Sequence, residues 1–429
     1  MKNPFDKIKE KLGGEESEKS FAGKIGSFFN PEPQKEKVLR HEDFNAAGDV
    51  YYADISVAYK IIGRVLWLFL VFFLVFSMIL NYKEITYDNF YYLFKDFSNA
   101  VDVNTSDYET LSYDADSRQK FSLYRGGLVA VSPSAVSIYT ATGRRTIRDN
   151  ISYSSPFAVC SDKYVLIYDA SGNSFSIYNS FSRIFTEKTE FPITDACFAE
   201  DGRFAIVSKD TDSKSVVYIY SKNFKKLAKY SFDSYIFDIS MDSESGSISM
   251  LYYDAGNGTG RTALMVKDID SLEAKGSLGF DGEFPLGVAS LDKDRLAVIT
   301  DGAVRIIDKN MQILQHIEYF DREMIDFDIS EHGIVLSVMK SAQNQIIAFD
   351  KSGNLLYNDF ILYTVSEIGL SGSYIFINTG NGVVRINAGE NQKDEFLPSD
   401  GGRLQIYDSN TVLVCGESKA EYLVYTKHK

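Results

Sequence analysis

The sequence is poor in the residues that most often build catalytic and metal sites. Its 429 residues include 3 cysteines, 4 histidines and a single tryptophan. No two histidines have the spacing of paired metal ligands, and neither a phosphate-binding P-loop nor a Gly-x-Ser-x-Gly motif is present. We therefore expect no catalytic residue, no metal site and no cofactor.

Positive charge is also scarce, since 45 Lys and Arg stand against 59 Asp and Glu and the net charge is −14. Up to Arg64 acidic and basic side chains are equal in number, so the whole acidic excess follows that point. A strongly negative surface repels nucleic-acid phosphates and anionic lipid headgroups. The composition therefore argues against a nucleic-acid partner.

The three cysteines are too few, and odd in number, for a disulfide framework. Cys160, Cys197 and Cys415 each lie in an apolar run typical of a strand. Cysteine in such a run usually behaves as a small buried hydrophobic residue, so we expect buried thiols. A Cys160–Cys197 disulfide is the alternative, because both residues occupy the same position in neighbouring repeats.

One long apolar segment occurs near the start of the chain. The stretch from Val65 to Tyr82 contains no charged side chain. As a helix it would measure about 27 Å, close to the roughly 30 Å hydrocarbon core of a bilayer. It is apolar on all sides, whereas the core helix of a soluble protein would keep one polar side. We predict a transmembrane helix over residues 61–82.

Lys and Arg residues near this span predict its orientation. They are frequent in the segment before it, where Lys60 and Arg64 lie closest, whereas the stretch 81–100 contains only Lys83 and Lys95. No small-residue cleavage site follows the span, which argues against a cleaved signal peptide. We predict a single-pass protein of the cell membrane with a disordered cytoplasmic tail (1–60), a juxtamembrane helix and linker (83–106) and an extracytoplasmic domain (107–429).

The domain after the span contains repeated units. Short runs rich in Val, Ile, Tyr and Phe alternate with turns of Gly, Asp, Asn and Ser, a pattern that predicts an all-β fold. The units start near residues 121, 157, 193, 235, 286, 325, 366 and 403, and most contain four strand-like runs. Four strands in a period of about 40 residues are typical of a β-propeller. We predict eight four-stranded blades, with seven as the alternative.

The strands within one unit differ in a way that fits this architecture. The second run is apolar throughout, as in YVLIYD, because neighbouring blades would cover both of its faces. The fourth is more polar, as in KKLAKYSFD, because it would lie at the rim. The eighth unit ends after its third run, so we expect DYETLSY (107–113) to supply the missing strand. That strand would close the ring and remove an open sheet edge.

Two turns, AEDGRFAIVS and AFDKSGNLLY, carry a resemblance to known proteins. They resemble blade turns of the propeller superfamily that includes WD-type and quinoprotein-like repeats, at Asp201 to Phe204 and Phe349 to Asn354. The layout of tail, span and propeller is similar to an uncharacterised bacterial family of membrane-anchored propellers. The resemblance covers nearly the whole chain and implies no functional residue. The only tryptophan, Trp67, lies in the span, so the resemblance does not extend to a pyrroloquinoline cofactor.

One face of the predicted ring is a candidate binding face. In a propeller, the loops from a fourth strand to the next blade share a face with the loops between second and third strands. Loops on a rigid scaffold are where function concentrates. Eight candidate partner-binding residues fall in these loops: Asp254, Asn257, Arg261, Asp281, Glu283, Asp321, Arg322 and Asp400. Most are acidic, which suggests a basic peptide, a cation or a polyamine.

The function that fits these patterns is a non-enzymatic, membrane-anchored interaction scaffold. Its extracytoplasmic propeller would bind a protein or a cell-envelope polymer. One alternative is a hydrolase or lyase acting on envelope glycans, with Asp281 and Asp321 at the channel mouth as its acids. The other alternative is a ligand sensor that signals to the tail.

Overall fold

The computed structural model describes residues 46–80, 110–255, 258, 260–271, 273–389 and 395–425. The chain divides into two compact units, one up to Lys95 and one from Asp96 onward. In the described residues, the first unit is a helix and the second is built from strands. The predictions for residues 1–45 and 81–109 lie outside the described residues.

Helix α1 (Ala46–Leu80) contains the apolar segment as far as Leu80. Among the described residues it is the one helix long and apolar enough to cross a membrane, over Tyr59–Ser77. Its described side chains are nearly all exposed. The helix begins at Ala46, whereas the sequence predicts a disordered tail up to residue 60 and a helix from residue 61. No proline interrupts residues 46–60, and an established helix extends by one hydrogen bond for each residue added.

The second unit consists of 32 described strands in eight four-stranded sheets. The outer strand β1 (Thr110–Ser112) comes first in the chain. Blade 1 contains β2 (Lys120–Tyr124), β3 (Gly127–Val131), β4 (Ala135–Tyr139) and β5 (Arg145–Asn150). Blade 2 contains β6 (Pro156–Cys160), β7 (Val165–Asp169), β8 (Ser174–Tyr178) and β9 (Arg183–Lys188). Blade 3 contains β10 (Ile193–Phe198), β11 (Phe204–Ser208), β12 (Ser215–Tyr220) and β13 (Lys226–Phe232).

The remaining blades follow in chain order. Blade 4 contains β14 (Tyr235–Asp242), β15 (Ser247–Asp254), β16 (Arg261–Asp268) and β17 (Ala274–Asp281). Blade 5 contains β18 (Pro285–Asp292), β19 (Arg295–Thr300), β20 (Ala303–Asp308) and β21 (Ile313–Glu318). Blade 6 contains β22 (Glu323–Ser330), β23 (Gly333–Lys340), β24 (Gln343–Asp350) and β25 (Leu355–Ile361). Blade 7 contains β26 (Glu367–Ser371), β27 (Tyr374–Asn378), β28 (Gly382–Asn387) and β29 (Glu395–Pro398). Blade 8 contains β30 (Arg403–Ile406), β31 (Thr411–Cys415) and β32 (Lys419–Val424).

Strand β1 completes blade 8 and closes the ring. It pairs antiparallel with β32, with Leu111 opposite Ala420. Leu111 is buried, and the Tyr113 hydroxyl donates a hydrogen bond to the Gly416 carbonyl at 2.7 Å. The first strands of successive blades contact one another around the channel, and β30 meets β2. Eight blades closed by a strand from the start of the domain are therefore confirmed, and the seven-blade alternative is wrong.

The hydrophobic core lies between the blades. The second strands are buried along most of their length, as in β3, β7 and β11, and the fourth strands are largely exposed, as in β9 and β21. Phe and Tyr rings form contacts between the blades. Phe175 of blade 2 packs against Phe204 and Tyr220 of blade 3, whose rings stack 4.5 Å apart. Burial of one such side chain contributes about 1.5–3 kcal/mol.

Aspartates on the first strands link neighbouring blades around the central channel. A first strand pairs within its blade on one side only, so its remaining N–H groups need other acceptors. The Val288 N–H of β18 donates to the Asp238 carboxyl of β14 at 2.6 Å. The Leu370 N–H of β26 donates to the Asp328 carboxyl of β22 at 3.1 Å. These bonds join blade 4 to blade 5 and blade 6 to blade 7.

Candidate partner-binding face

One face of the ring carries all the predicted binding residues that the structure describes. Because each blade is antiparallel, its loop between second and third strands lies at the same end as the loop leading to the next blade. Asp254, Arg261 and Asp281 lie at strand ends of blade 4 on this face. Glu283, Asp321, Arg322 and Asp400 belong to segments that join successive blades. Asn257 lies outside the described residues.

Three of the predicted carboxylates on this face are paired with cations. Asp254 lies 3.5 Å from the guanidinium of Arg261. Asp400 lies 2.8 Å from the ammonium of Lys419. The carboxylate of Asp321 accepts a hydrogen bond from Lys340. These pairs neutralise part of the acidic mouth that composition predicts, although exposed ion pairs contribute little to stability.

The lysine beside Asp321 has a chemical consequence. Its hydrogen bond lowers the pKa of the Asp321 carboxyl, and Arg322, 3.6 Å away, acts in the same direction. A general acid must hold a proton near neutral pH, which requires a raised pKa. This environment therefore does not favour Asp321 as the acid of a glycan-cleaving enzyme.

Glu283 differs from the other predicted residues of this face, because it is buried. Its side chain is 5% exposed and forms two hydrogen bonds with the equally buried Arg305, at 2.6 and 2.7 Å. The Thr300 hydroxyl donates to the same carboxylate. Burial alone would raise the pKa of Glu283, but these bonds outweigh it and lower the pKa. The Arg305 guanidinium also lies over the Phe280 ring, 4.2 Å from its centroid. Glu283 is thus an internal ion-pair partner that joins blades 4 and 5.

An exposed cluster of aromatic side chains occupies this face between blades 4 and 5. The Phe237 and Phe284 rings meet edge to face with centroids 4.8 Å apart. Tyr253 lies 5.4 Å from Phe284 and 6.5 Å from Phe237. Phe237 and Phe284 are 42% and 40% exposed. Aromatic rings in such contact mostly occur in cores, so their exposure at a loop end is unusual.

The aromatic cluster continues onto the next blade through a short hairpin. Phe284 and Asp301 are joined by two hydrogen bonds, from the Phe284 N–H to the carboxylate and from the Asp301 N–H to the Phe284 carbonyl. Phe320, which is 60% exposed, lies directly over Gly302, where a β-carbon would meet its ring at 2.0 Å. Tyr253 covers Gly260 in the same way. Glycine at these two positions leaves the space that the rings occupy.

We call this surface the aromatic face, and define it by five residues: Tyr235, Phe237, Tyr253, Phe284 and Phe320. Tyr235, 52% exposed, lies at its edge. Sequence patterns of charge and turn residues do not reveal the aromatic face. The segments SYIF, GEFP and EYFDR do place aromatic residues at junctions between blades.

The remaining predictions about chemistry concern thiols and metals. All three cysteines are free, so the Cys160–Cys197 disulfide is wrong. Cys197 and Cys415 are buried, and burial raises the pKa of both thiols. Among the described residues, no group of three or more His, Cys, Asp and Glu side chains is placed to hold a metal ion. Asp400 lines a separate cavity of about 880 Å³ on the same face, with Arg403 and Lys419.

The architecture defines the class of protein, which is the eight-bladed β-propeller. Sqt1 of Saccharomyces cerevisiae is similar to this chain at a TM-score of 0.53 and 9% identity, over 74% of this chain and 99% of Sqt1. The Neurospora crassa Pan2 WD40 domain has a TM-score of 0.43 at 12% identity, over 64% of this chain and 89% of that domain. AztD from Citrobacter koseri has a TM-score of 0.47 at 8% identity, over 66% of this chain and 86% of the AztD chain. At these identities the Sqt1 likeness shows the fold alone.

The chain belongs to DUF5711, a family of unknown function whose model matches residues 100–421. That match covers nearly all of the propeller and only the last residues of the segment before it. No curated protein matches the sequence.

Proposed function

We propose that this protein is a non-enzymatic, membrane-anchored interaction scaffold. Helix α1 spans the cell membrane, the residues before it lie in the cytoplasm and the propeller lies outside. The propeller binds a partner protein through the aromatic face. The sequence predicts either a protein or an envelope polymer as the partner, and the aromatic face favours the protein.

The observation that carries this proposal is the exposed aromatic cluster on a rigid ring. Phe237, Tyr253 and Phe284 contact one another, yet two of them are about two-fifths exposed. Contiguous exposed apolar patches on soluble domains commonly mark interaction sites. Aromatic residues also dominate the energetic centres of protein interfaces, because they bury large areas at little entropic cost.

Two observations support the membrane location. The stretch Tyr59–Ser77 has the length and hydropathy to cross a bilayer, and its side chains are not buried in the protein. Lys60 and Arg64 lie at its amino-terminal end, whereas the stretch 81–100 that follows it contains only two positively charged residues, Lys83 and Lys95. Positive residues are retained on the cytoplasmic side, which supports the orientation proposed.

Crosslinking in living cells followed by mass spectrometry tests the scaffold. The full-length chain carries an epitope tag and is compared with a variant combining Phe237→Ala and Phe284→Ala. The matched control is Phe181→Ala, because Phe181 is 37% exposed and lies in the loop between β8 and β9, on the opposite face. We expect one reproducible protein partner with the wild type and the control, and loss of that partner from the double variant.

Three further outcomes would overturn the proposal in different ways. A partner retained by the double variant would remove the aromatic face from the interaction. A partner lost on deletion of residues 1–42 alone would transfer the function to the cytoplasmic side. Turnover of an envelope glycan by the purified full-length protein would establish the enzyme alternative.

A further inference from the structure

We infer that the segment docking on the aromatic face is cationic, with Lys or Arg side chains set against its rings. This inference rests on the proposed function and specifies the chemistry of the partner. It draws on three features of the face: its charge balance, the pairing of its own cations and a cation–ring contact already present at its edge.

The charge balance on the aromatic face is negative. Around the aromatic rings, four cationic side chains occur with six carboxylates: Lys214, Arg261, Arg322 and Lys340, with Asp233, Asp254, Asp281, Asp301, Asp321 and Glu323. A partner of the same sign would be repelled, and complementary charge speeds association and selects partners. The excess of carboxylates on the aromatic face therefore favours a positively charged partner segment.

The cations of this surface are already engaged, whereas several carboxylates are not. Arg261 is paired with Asp254, and both Arg322 and Lys340 are paired with Asp321. Asp281, Asp301 and Glu323 are exposed and have no ion-pair partner among the residues that the structure describes. Asp301 is additionally fixed beside the cluster by its bonds to Phe284. Negative charge available for an incoming group thus lies next to the rings.

The edge of the aromatic face shows that its rings accept a cation. The ammonium of Lys214 lies 5.4 Å from the centroid of Tyr235, within the range of a cation–π contact. Exposed rings flanked by carboxylates form the usual environment for an alkylated or guanidinium cation, because the ring quadrupole and the carboxylate attract it together. A purely apolar partner would leave the carboxylates beside the rings desolvated and unpaired, which is unfavourable.

The inference is tested by fluorescence anisotropy with the full-length protein in uncharged detergent. The probe is a fluorescein-labelled peptide of alternating arginine and serine, and its matched counterpart has glutamate in place of arginine. We expect the arginine peptide to bind, with affinity that falls as salt is raised, and the glutamate peptide not to bind. Phe284→Ala should weaken binding at least about fivefold, and Asp281→Asn about threefold with a smaller salt dependence.

Two control variants separate the aromatic face from general electrostatic attraction. Phe181→Ala and Glu331→Gln both lie on the opposite face, and neither should change the affinity. Unchanged melting temperatures establish that the exposed substitutions leave the fold intact. Equal binding of the two peptides, or equal loss with the control variants, would overturn the inference.

The outcomes also distinguish this inference from the proposed function. If crosslinking captures a partner that is lost with Phe284→Ala but its contact segment carries no Lys or Arg, the scaffold stands and the cationic docking fails. If no partner depends on the aromatic face but the arginine peptide still binds there, the proposed protein scaffold fails and a small cationic ligand takes its place.

Discussion

Replacement of Glu283 by glutamine should destabilise the propeller without acting on its surface. The carboxylate holds the Arg305 guanidinium through two hydrogen bonds at 2.6 and 2.7 Å, and both side chains are 5% exposed. Glutamine keeps the shape and one acceptor oxygen but removes the charge. A buried guanidinium would then remain without its counter-ion in a region that water does not reach.

The expected size of this effect follows from the burial of the pair. Removal of one partner from a buried ion pair costs about 3–5 kcal/mol. For a domain of this size, each kcal/mol moves the melting temperature by roughly 2 °C, so Glu283→Gln should lower it by roughly 6–10 °C. Replacing both Glu283 and Arg305 by methionine should restore most of the loss, because no charge is left unpaired.

The pH dependence gives a second measure of the same pair. The pKa of Glu283 is lowered in the folded protein from the ordinary value of 4.5. A lowered pKa means that its stabilising contribution is present above pH 4.5 and is lost as the pH falls through the lowered value. The difference in melting temperature between the wild type and Glu283→Gln should therefore narrow at acid pH.

Thermal unfolding of the full-length protein in detergent measures both effects. The matched control is Asp294→Asn, because Asp294 forms an ion pair with Lys309 at 3.0 Å on the exposed surface. That variant should melt close to the wild type. A melting temperature for Glu283→Gln equal to that of the control would refute the structural role. Loss of partner crosslinking at an unchanged melting temperature would return Glu283 to the binding face.

Three other predictions address the channel, the ring closure and the membrane topology. Burial raises the pKa of Asp328 to about 6, so the stability of the propeller should fall as the pH rises from about 4 to 6. Asp328→Asn should flatten this pH profile and raise the free energy of unfolding at neutral pH by at most about 3 kcal/mol. Urea unfolding measures this profile, and an unchanged profile in the variant would contradict the prediction. Leu111→Ala should cost about 2–5 kcal/mol in thermal unfolding, because Leu111 is 2% exposed in the closing strand, whereas Thr110→Ala, on the exposed side of that strand, should not. Alkaline phosphatase fused after Lys429 should be active in intact cells, because the propeller is proposed to lie outside the cytoplasm; activity confined to lysed cells would reverse the orientation.

The sequence by itself determined the elements that repeat along the chain. The regular spacing of the units, the fully apolar second strands and the polar fourth strands follow from which faces of a blade are covered, so each blade could be predicted from its own residues. The closing strand was predictable for a related reason, because the eighth unit lacks a fourth strand and 107–113 is the unused one. The apolar span was predictable from its own residues as well. The residues before it were too polar to reveal that α1 begins at Ala46.

The tertiary structure alone decided how side chains from different hairpins meet. Asp321 pairs with Lys340 and Asp400 with Lys419, each pair 19 residues apart in the chain. Charge patterns in the sequence place these carboxylates on one face but do not reveal the lysines that pair with them. The sequence therefore predicts a more acidic channel mouth than the structure shows.

Glu283 and Phe284 show the same limit at neighbouring positions. The sequence offers no reason for one to point inward and the other outward. The carboxylate of Glu283 turns inward because Arg305, on a strand of the next blade, provides a buried counter-charge. Phe284 turns outward because Asp301 holds its backbone at the loop end, beside Phe237 of the preceding inner strand. Such contacts depend on distances between blades, and those distances exist only once the ring has closed.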